Sequence, residues 1–519
     1  MAHQNSPNFH KTMIPSVSKI GLAAILAAAL GAATVFSFAP FYLSWLPIVT
    51  LAALIVLWQN ASGKWHACVV GLAFGVGLFC AGISWLYVSL HDFGGMPMAL
   101  AVFCTFLLSL ILAAYLAIVG FLQALLRVDG WRQTVLIIPA LWTLFEWLRG
   151  WVLTGLPWLS LGYAQVANGP LAGYAPLVGV FAVSLLTVLV AGLLVSTASL
   201  LAARRWRPAG FPALAIALVI VGGIALNRIE WTQPNGASLS VSLVQGNITQ
   251  DIKWKPETLA ATLTAYRDLT LASASKLIIL PETAFPVFLE QMPEEYLAEF
   301  DKHGKKLGGD LLIGVPETTG PATYHNSVVS FGTAPRQTYR KSHLVPFSEF
   351  IPFKWLIGWV YDDLLNMPLA DFTAGEKDQT PFAVAGQKIA MTNCYEDLFG
   401  EEIIGKLPQA TLLANVSNDA WFGRSLGPQQ HLQISQMRAL ETGRYMLRAT
   451  NTGVTAIIDQ KGRVMSRAPE FTRMSLDGTA QGYRGATPYA RFGNFGVVCL
   501  SIAMLAIALR GRNQSQRNS

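Results

Sequence analysis

The sequence predicts an α/β domain inserted in an all-α polytopic membrane frame. Three observations carry that expectation. Charged residues make up only 13% of the 519-residue chain and mean hydropathy is +0.43, whereas soluble domains average about 25% charged. Apolar runs fill 18–226 and recur at 494–509, while 227–492 has the composition of an ordinary water-soluble domain. Within that stretch, short apolar runs alternate with polar helical ones, as in a sheet covered by helices.

A membrane span needs roughly 20 mostly apolar residues to cross about 30 Å of hydrocarbon. Candidate spans lie at 18–38, 42–58, 67–88, 98–126, 134–152, 172–201, 208–226 and 494–509. The chain therefore divides into a membrane domain of seven spans (1–226), an inserted domain (227–492), and a last span with its tail (493–519). Basic residues fall on alternate connections. Lys11 and Lys19 precede the first span, and Lys64 lies between the second and third. Arg127 and Arg132 follow the fourth, Arg204, Arg205 and Arg207 the sixth, and Arg510, Arg512 and Arg517 close the chain. By the positive-inside rule both termini are cytoplasmic, and after seven crossings the 227–492 domain emerges on the far side. In a bacterium that is the periplasmic face of the inner membrane. The net charge of +7 sits largely in these loops and reports topology rather than a nucleic-acid partner. The first run has a basic flank and the small pair Ala32-Ala33, features shared with signal peptides. It is long for one, and the charge alternation works without cleavage.

Two features inside the spans call for an explanation. Glu146 is a carboxylate in an apolar segment, and its expected partner is Arg149, three residues on, in preference to a substrate. Gly71 and Gly75 have the spacing of a helix-packing face.

In the inserted domain, strands are expected at 238–244, 276–280, 310–314, 327–331, 389–393 and 410–416, and helices at 258–275, 294–307 and 429–444. Three strands run straight into chemically capable residues. Leu280 is followed by Pro281-Glu282, Asn393 by Cys394, and Val416 by Ser417-Asn418-Asp419. Function in α/β folds is commonly built at such strand ends. Of the five cysteines, Cys68, Cys80, Cys104 and Cys499 lie in expected spans, so Cys394 has no disulfide partner in its domain. A lone thiol in an oxidising compartment is a liability unless chemistry needs it.

A thiol nucleophile needs a base, because free cysteine has a pKa of about 8.5. It also needs donors for the oxyanion formed on attack. Glu282, in Leu-Pro-Glu-Thr-Ala-Phe-Pro, is a carboxylate at a strand end among apolar residues and suits the first role. Lys341, in Tyr-Arg-Lys-Ser-His, and the backbone N–H after Cys394 suit the second. Five local patterns accompany these three residues in order. They are Val244-Gln-Gly-Asn247 with Trp254 after it, Lys341-x-His-Leu-Val-Pro-Phe-x-Glu349, Cys394-Tyr395-Glu396, Asn418-Asp-Ala-Trp-Phe-Gly423, and Arg448-Ala-Thr-Asn-Thr-Gly453.

Together these resemble the carbon–nitrogen hydrolase (nitrilase) superfamily, whose fold is an αββα sandwich. With the eight-span frame, the chain is similar over nearly its whole length to the apolipoprotein N-acyltransferase family within it. Ser348 departs from the pattern, where a glycine is expected before Glu349. The resemblance implies a two-step, ping-pong reaction. Cys394 would take an acyl chain from the sn-1 ester of a phospholipid, phosphatidylethanolamine being the expected donor, and hold it as a thioester. The α-amino group of a diacylglyceryl cysteine at an apolipoprotein N-terminus would then take it as an amide. By the same resemblance Glu282 is base and then acid, and Lys341 stabilises the oxyanion. Glu349 and Glu396 support the triad, Tyr395 flanks the nucleophile and Trp254 walls the lipid site. No cofactor and no metal are expected, since the eight histidines show no His-x-x-x-His pattern and the cysteines no Cys-x-x-Cys. A monomer is expected.

The segment near 351–372, with Ile351, Trp355, Trp359 and Tyr361, is unusually apolar and reads as an arm dipping toward the membrane. Gly423-Arg-Ser425-Leu-Gly427 has the form of a serine-hydrolase elbow. It does not follow a strand directly, Pro428 comes next, and His431 is the only histidine after it. A membrane-anchored amidase fits the triad but not the seven spans. A non-enzymatic scaffold fits the spans but leaves the lone thiol without a reason.

Overall fold

The structure, a computed structural model, describes residues 16–128, 130–166, 169–355 and 371–517. Among these, five helices are long and apolar enough to cross a membrane: Lys19–Ser37, Lys64–Gly82, Met98–Leu125, Ala172–Ala202 and Trp206–Leu226. The other expected spans are shorter as apolar helices. Leu46–Gln59 has 14 residues because Tyr42, at φ +56°, belongs to the turn that precedes it. Ile138–Arg149 has 12 residues behind a π-helical turn at Gln133–Ile137. The apolar part of the last helix runs Phe495–Arg510.

Helices Ser16–Thr34, Lys64–Gly82 and Met98–Leu125 pack backbone to backbone, and glycines permit it. A methyl group added at Gly71 would lie 2.3 Å from Leu116 O, and one at Gly77 would lie 1.9 Å from Ala28 O. Small residues at such crossings let helices gain close packing where lipid offers no hydrophobic drive.

Glu146 and Arg149 feel each other's charge, as expected of them, but not through a direct ion pair. Instead Glu146 Oε1 accepts from Leu161 N at 2.9 Å, while Arg149 Nη1 donates to Leu156 O at 2.5 Å and Trp158 O at 2.7 Å. Both side chains thus satisfy buried backbone groups of the 150–166 connection, which no helix or sheet provides for.

The inserted part contains strands β1 (Gln233–Pro234), β2 (Leu239–Gln245), β3 (Leu277–Ile279), β4 (Asp310–Gly320), β5 (Thr323–Gly332), β6 (Thr338–Arg340), β7 (Phe382–Val384), β8 (Gln387–Asn393), β9 (Leu412–Ser417), β10 (Met446–Thr450), β11 (Ala456–Ile458), β12 (Val464–Arg467), β13 (Met474–Ala480) and β14 (Tyr483–Arg484). Two six-stranded sheets form, in the orders β13-β2-β3-β4-β5-β6 and β12-β11-β10-β9-β8-β7. β2, β3 and β4 run parallel to one another, as do β8, β9 and β10. All six expected strands are present, with β4 and β5 extending into an antiparallel pair.

Alternate side chains on each strand point to opposite faces, and this decides the layers. Leu277, Ile279 and Leu312 meet Ile389, Met391, Leu412 and Leu447 between the sheets. Ile278, Leu311 and Ile313 face outward with Phe300 of helix Glu294–Leu307 and Tyr266 of helix Pro256–Ala272. On the other sheet, Ala390 and Leu413 face outward with Leu432 and Ala439 of helix Gly427–Thr442. The result is helix, sheet, sheet, helix. The second helix layer is itself pressed against the membrane helices, where Ile434 and Met437 join the core of the helical bundle.

Replacing Gly77 by leucine is expected to destabilise the bundle by about 1–3 kcal/mol through overpacking. Replacing Gly21 by alanine, with nothing within 4 Å of the new methyl group, should leave it unharmed. Thermal unfolding of the two variants in detergent checks this; equal midpoints would refute it.

Candidate active site

The parallel strands of both sheets deliver their C-terminal ends to one region. Glu282 follows β3, Cys394 follows β8, and Asn418 follows β9. At Cys394 the chain turns sharply from β8 into a short 3₁₀ helix, Cys394–Leu398, and the residue takes φ +52°. A branched or bulky residue in the left-handed region is strained, and strain of this kind concentrates at functional turns. It projects the thiol from the strand end. The Asn393 side chain and Glu396 form a reciprocal cap on this turn, with Asn393 N donating to Glu396 Oε2 at 2.7 Å.

Glu282, Lys341 and Glu349 form one buried cluster. Lys341 Nζ lies 2.9 Å from Glu349 Oε1 and 3.5 Å from Glu282 Oε1. Asn326, from β5, bridges the two carboxylates through Nδ2, at 2.7 Å to Glu282 and 3.1 Å to Glu349. Its Oδ1 accepts from Asn393 Nδ2 at 2.9 Å, which links the cluster to the Cys394 turn. The other oxygen of Glu282 accepts from Asn418 N at 2.8 Å, and Glu349 Oε2 accepts from Val345 N at 2.8 Å. Burial opposes a charge on Lys341, but Glu349 and then Glu282 outweigh it and hold its pKa above the ordinary lysine value. Lys341 is therefore a permanent cation.

The Cys394 thiol is pushed well above its ordinary pKa, first by burial and then by the Glu282 charge, with Lys341 acting in the opposite sense. In the resting protein the group is a thiol. It ionises only when a base takes its proton, and Glu282 is the carboxylate whose charge it feels most.

Glu396 ties the Lys341 segment to the Cys394 turn. Its Oε1 accepts from Ser342 N at 2.7 Å, Ser342 Oγ at 2.9 Å and His343 N at 3.1 Å, while Oε2 accepts from Tyr339 OH at 2.7 Å. Tyr395 donates its OH to Gly155 O in the 150–166 connection, and His343 Nε2 lies 3.0 Å from Thr154 O. The membrane part thus touches the residue next to Cys394. Trp254 is 54% exposed and ends a short helix, Gln250–Lys253. Ser348 is exposed and its φ is not positive, so a side chain there is unstrained. Of the 351–372 segment, Ile351 is buried while Phe353 and Trp355 are 59% and 84% exposed; Trp359 and Tyr361 lie outside the described residues.

Asn326 carries no local sequence signal, and the patterns that hold Asn418, Arg448 and Asn451 do not say what these residues bond. Asn326 and Asn418 both donate to Glu282. Asn451 holds Asn418 Oδ1 at 2.9 Å and Ile248 O at 2.6 Å, and Asn418 Nδ2 reaches Gln250 Oε1 at 2.9 Å. Lys253, 2% exposed, donates to the main-chain oxygen of Glu282 at 3.4 Å. Arg448, wholly buried on β10, reaches Asn415 Oδ1 at 2.6 Å, Asp419 Oδ2 at 2.8 Å and Asp397 Oδ2 at 3.4 Å. His431 lies between the same two aspartates, 2.8 Å from Asp397 and 3.1 Å from Asp419. That engagement leaves His431 no role beside Ser425, whose Oγ accepts from Gly427 N. Burial alone raises the Asp419 carboxyl, but Arg448 and His431 more than reverse that and hold it below the usual carboxylate range. Among the described residues, no group of three His, Cys, Asp or Glu side chains could hold a metal ion.

The family described as Apolipoprotein N-acyltransferase N-terminal domain matches residues 30–193, and that described as Carbon-nitrogen hydrolase matches residues 240–488. The second match gives the inserted part a nitrilase-like fold. A relative from Nitrosomonas europaea, named apolipoprotein N-acyltransferase, is 52% identical over 93% of this chain and 96% of its own. Relatives of the same name from Chromobacterium violaceum and Methylococcus capsulatus are 46% and 44% identical. The former match covers 95% of each chain; the latter covers 92% of this chain and 95% of the relative.

Two outcomes follow from the electrostatics. Lys341→Met removes the cation that favours the thiolate, so alkylation of Cys394 by iodoacetamide at pH 8 should slow about tenfold, the effect of one pKa unit; peptide mass spectrometry reads it, and an unchanged rate would count against the assignment. Arg448→Met leaves Asp397 and Asp419 without their buried cation and should cost about 3–5 kcal/mol. A thermal unfolding midpoint within 1 °C or so of the parent would contradict that second expectation.

Proposed function

The chain belongs to the apolipoprotein N-acyltransferase family, and on that footing we propose that Cys394 carries an acyl chain from a phospholipid to an apolipoprotein amine. Glu282 removes the proton from the Cys394 thiol as sulfur attacks the ester carbonyl of the donor. The oxyanion that forms is held by the Lys341 cation and the Tyr395 N–H. Its collapse expels the lysophospholipid alkoxide, which takes the proton back from Glu282. The acyl chain is left on Cys394 as a thioester. The α-amino group of a diacylglyceryl cysteine then attacks the thioester, passing a proton through Glu282 to the departing sulfur. Amide replaces ester, so the overall transfer runs downhill.

The observation that carries this reading is the arrangement around Glu282. One oxygen faces the permanently charged Lys341 and the other accepts from the turn after β9. The resting thiol is protonated, so a base placed to take its proton is what the chemistry requires. Glu349 fixes Lys341 by its 2.9 Å ion pair, and Glu396 fixes the Lys341 segment against the nucleophile turn. Trp254, exposed at the end of Gln250–Lys253, is proposed to wall the lipid site, and Tyr395 to flank the nucleophile.

Membrane substrates account for the surroundings. Phe347, Phe353 and Trp355 follow Lys341 in the chain and are exposed, as are Trp151 and Leu153 of the connection that touches Tyr395. An apolar threshold of this kind suits lipid entry and has no purpose for a small soluble amide. The alternation of Lys64, Arg127, Arg204 and Arg510 along the chain supports an inner-membrane, multi-pass protein with cytoplasmic termini and a periplasmic site. Phosphatidylethanolamine is the proposed donor, and the protein is proposed to act as a monomer.

Incubating the purified full-length protein with phospholipid and analysing its peptides by mass spectrometry tests the intermediate. An acyl adduct on the Cys394 peptide, released by hydroxylamine and absent from Glu282→Gln, is the expected result. No adduct in a single turnover would rule the mechanism out.

A further inference from the structure

Two lysines are buried at this site, and they are held in opposite ways. Lys341 has carboxylates at 2.9 and 3.5 Å. Lys253 is 2% exposed, has no ion-pair partner within 4.0 Å among the described residues, and makes a single hydrogen bond of 3.4 Å to a main-chain oxygen. Burying an unpaired ammonium group is costly, and such a group responds by giving up its proton. Burial brings Lys253 down to about 8, with Glu282 and Cys394 the titratable groups whose charges reach it and favour its charged form.

The second half-reaction has a proton that the triad does not accommodate. An α-amino group has an ordinary pKa of about 7.7–8.0, so near neutral pH it arrives largely as ammonium. Ammonium has three N–H bonds and the product amide keeps one, so two protons must leave the nitrogen. One restores the Cys394 thiol by way of Glu282. The other must go before attack, since the nitrogen has no lone pair until it does. Lys253 lies against the Glu282 backbone in the same charge field as Cys394.

Building on the acyl-transfer reading above, we propose that Lys253 is the base that takes the first proton from the acceptor's α-ammonium group, delivering neutral amine to the acyl-Cys394 thioester. Its proton then passes to water before the next turnover. Nothing is oxidised or reduced; one N–H bond breaks at the acceptor and one forms at Lys253 Nζ.

The test separates the half-reactions in the full-length protein with phospholipid, following acyl-Cys394 by mass spectrometry. For Lys253→Met, Lys253→Gln and Lys253→Arg, transfer to a synthetic diacylglyceryl-cysteinyl peptide at pH 7 should fall about 100-fold, the scale of a lost general base. Transfer to hydroxylamine, already neutral at that pH, should fall far less. Arginine is the decisive variant, because it keeps the cation and cannot accept a proton. A Lys253→Arg protein that transfers at the parent rate overturns the proposal. So do equal losses toward peptide and hydroxylamine, which indicate a structural role, and so does failure of all three variants to form acyl-Cys394. Absence of acyl-Cys394 in the parent sinks the acyl-transfer reading itself, a result distinct from all of these.

Discussion

Arg448 is the charge on which the site's architecture depends. It emerges from the middle of a sheet, wholly buried, and binds the turn after β8 through Asp397 and the turn after β9 through Asp419. Those turns carry Cys394, the proposed nucleophile, and Asn418, whose N–H donates to Glu282. His431 and Ser435 close the network from the helix above, Ser435 donating to Asp397 at 2.5 Å. A buried charge set is tolerated only when every member is partnered. Its reward is geometric: two loops that would otherwise move independently share one rigid cation.

The helix bearing His431 and Ser435 has a second duty. Nearly every residue of Gly427–Thr442 is buried, although its sequence is rich in Gln, His, Arg and Glu. One face bonds the sheet network. The other bonds the membrane part, where Trp158 donates to Gln430 at 2.7 Å, Ala39 N to Gln433 at 2.9 Å and Val180 N to Glu441 at 2.6 Å. A polar helix between two apolar bodies satisfies backbone groups that kinks in the membrane segments leave open. Gly179, at φ +77° inside Ala175–Ala202, is such a kink, and the N–H beside it is the one Glu441 accepts. The two parts are thereby coupled through hydrogen bonds as well as through the apolar contacts of Ile434 and Met437.

At the site itself, local charge decides what each ionisable group can do. Carboxylates make Lys341 a fixed cation, and burial without them makes Lys253 a titrating one. The thiol between these influences stays protonated until a base acts. On the proposed reading, one fixed charge would hold the oxyanion in both half-reactions, while the mobile protons follow the reacting atoms.

Glu282 and Cys394 stand out in the sequence because each follows an apolar run whose periodicity is local, and Lys341 because a motif pattern surrounds it. The long apolar helices were legible for the same reason: hydropathy is summed over neighbours in the chain. What the sequence could not supply were partners far apart along it. Asn326 and Asn418 become donors to Glu282 only when β5 and β9 come to lie on either side of it. Glu146, beside Arg149 in the chain, also accepts from the backbone of Leu161, fifteen residues on, a bond its own helix does not announce. Lys253 next to Trp254 reads as a surface lysine until the fold buries it. The sequence by itself determined which segments are apolar, where strands end and which residues are chemically capable. Tertiary structure alone decided which charges are paired and which are buried without a partner, because desolvation and Coulomb energies depend on distance in space and not on separation along the chain.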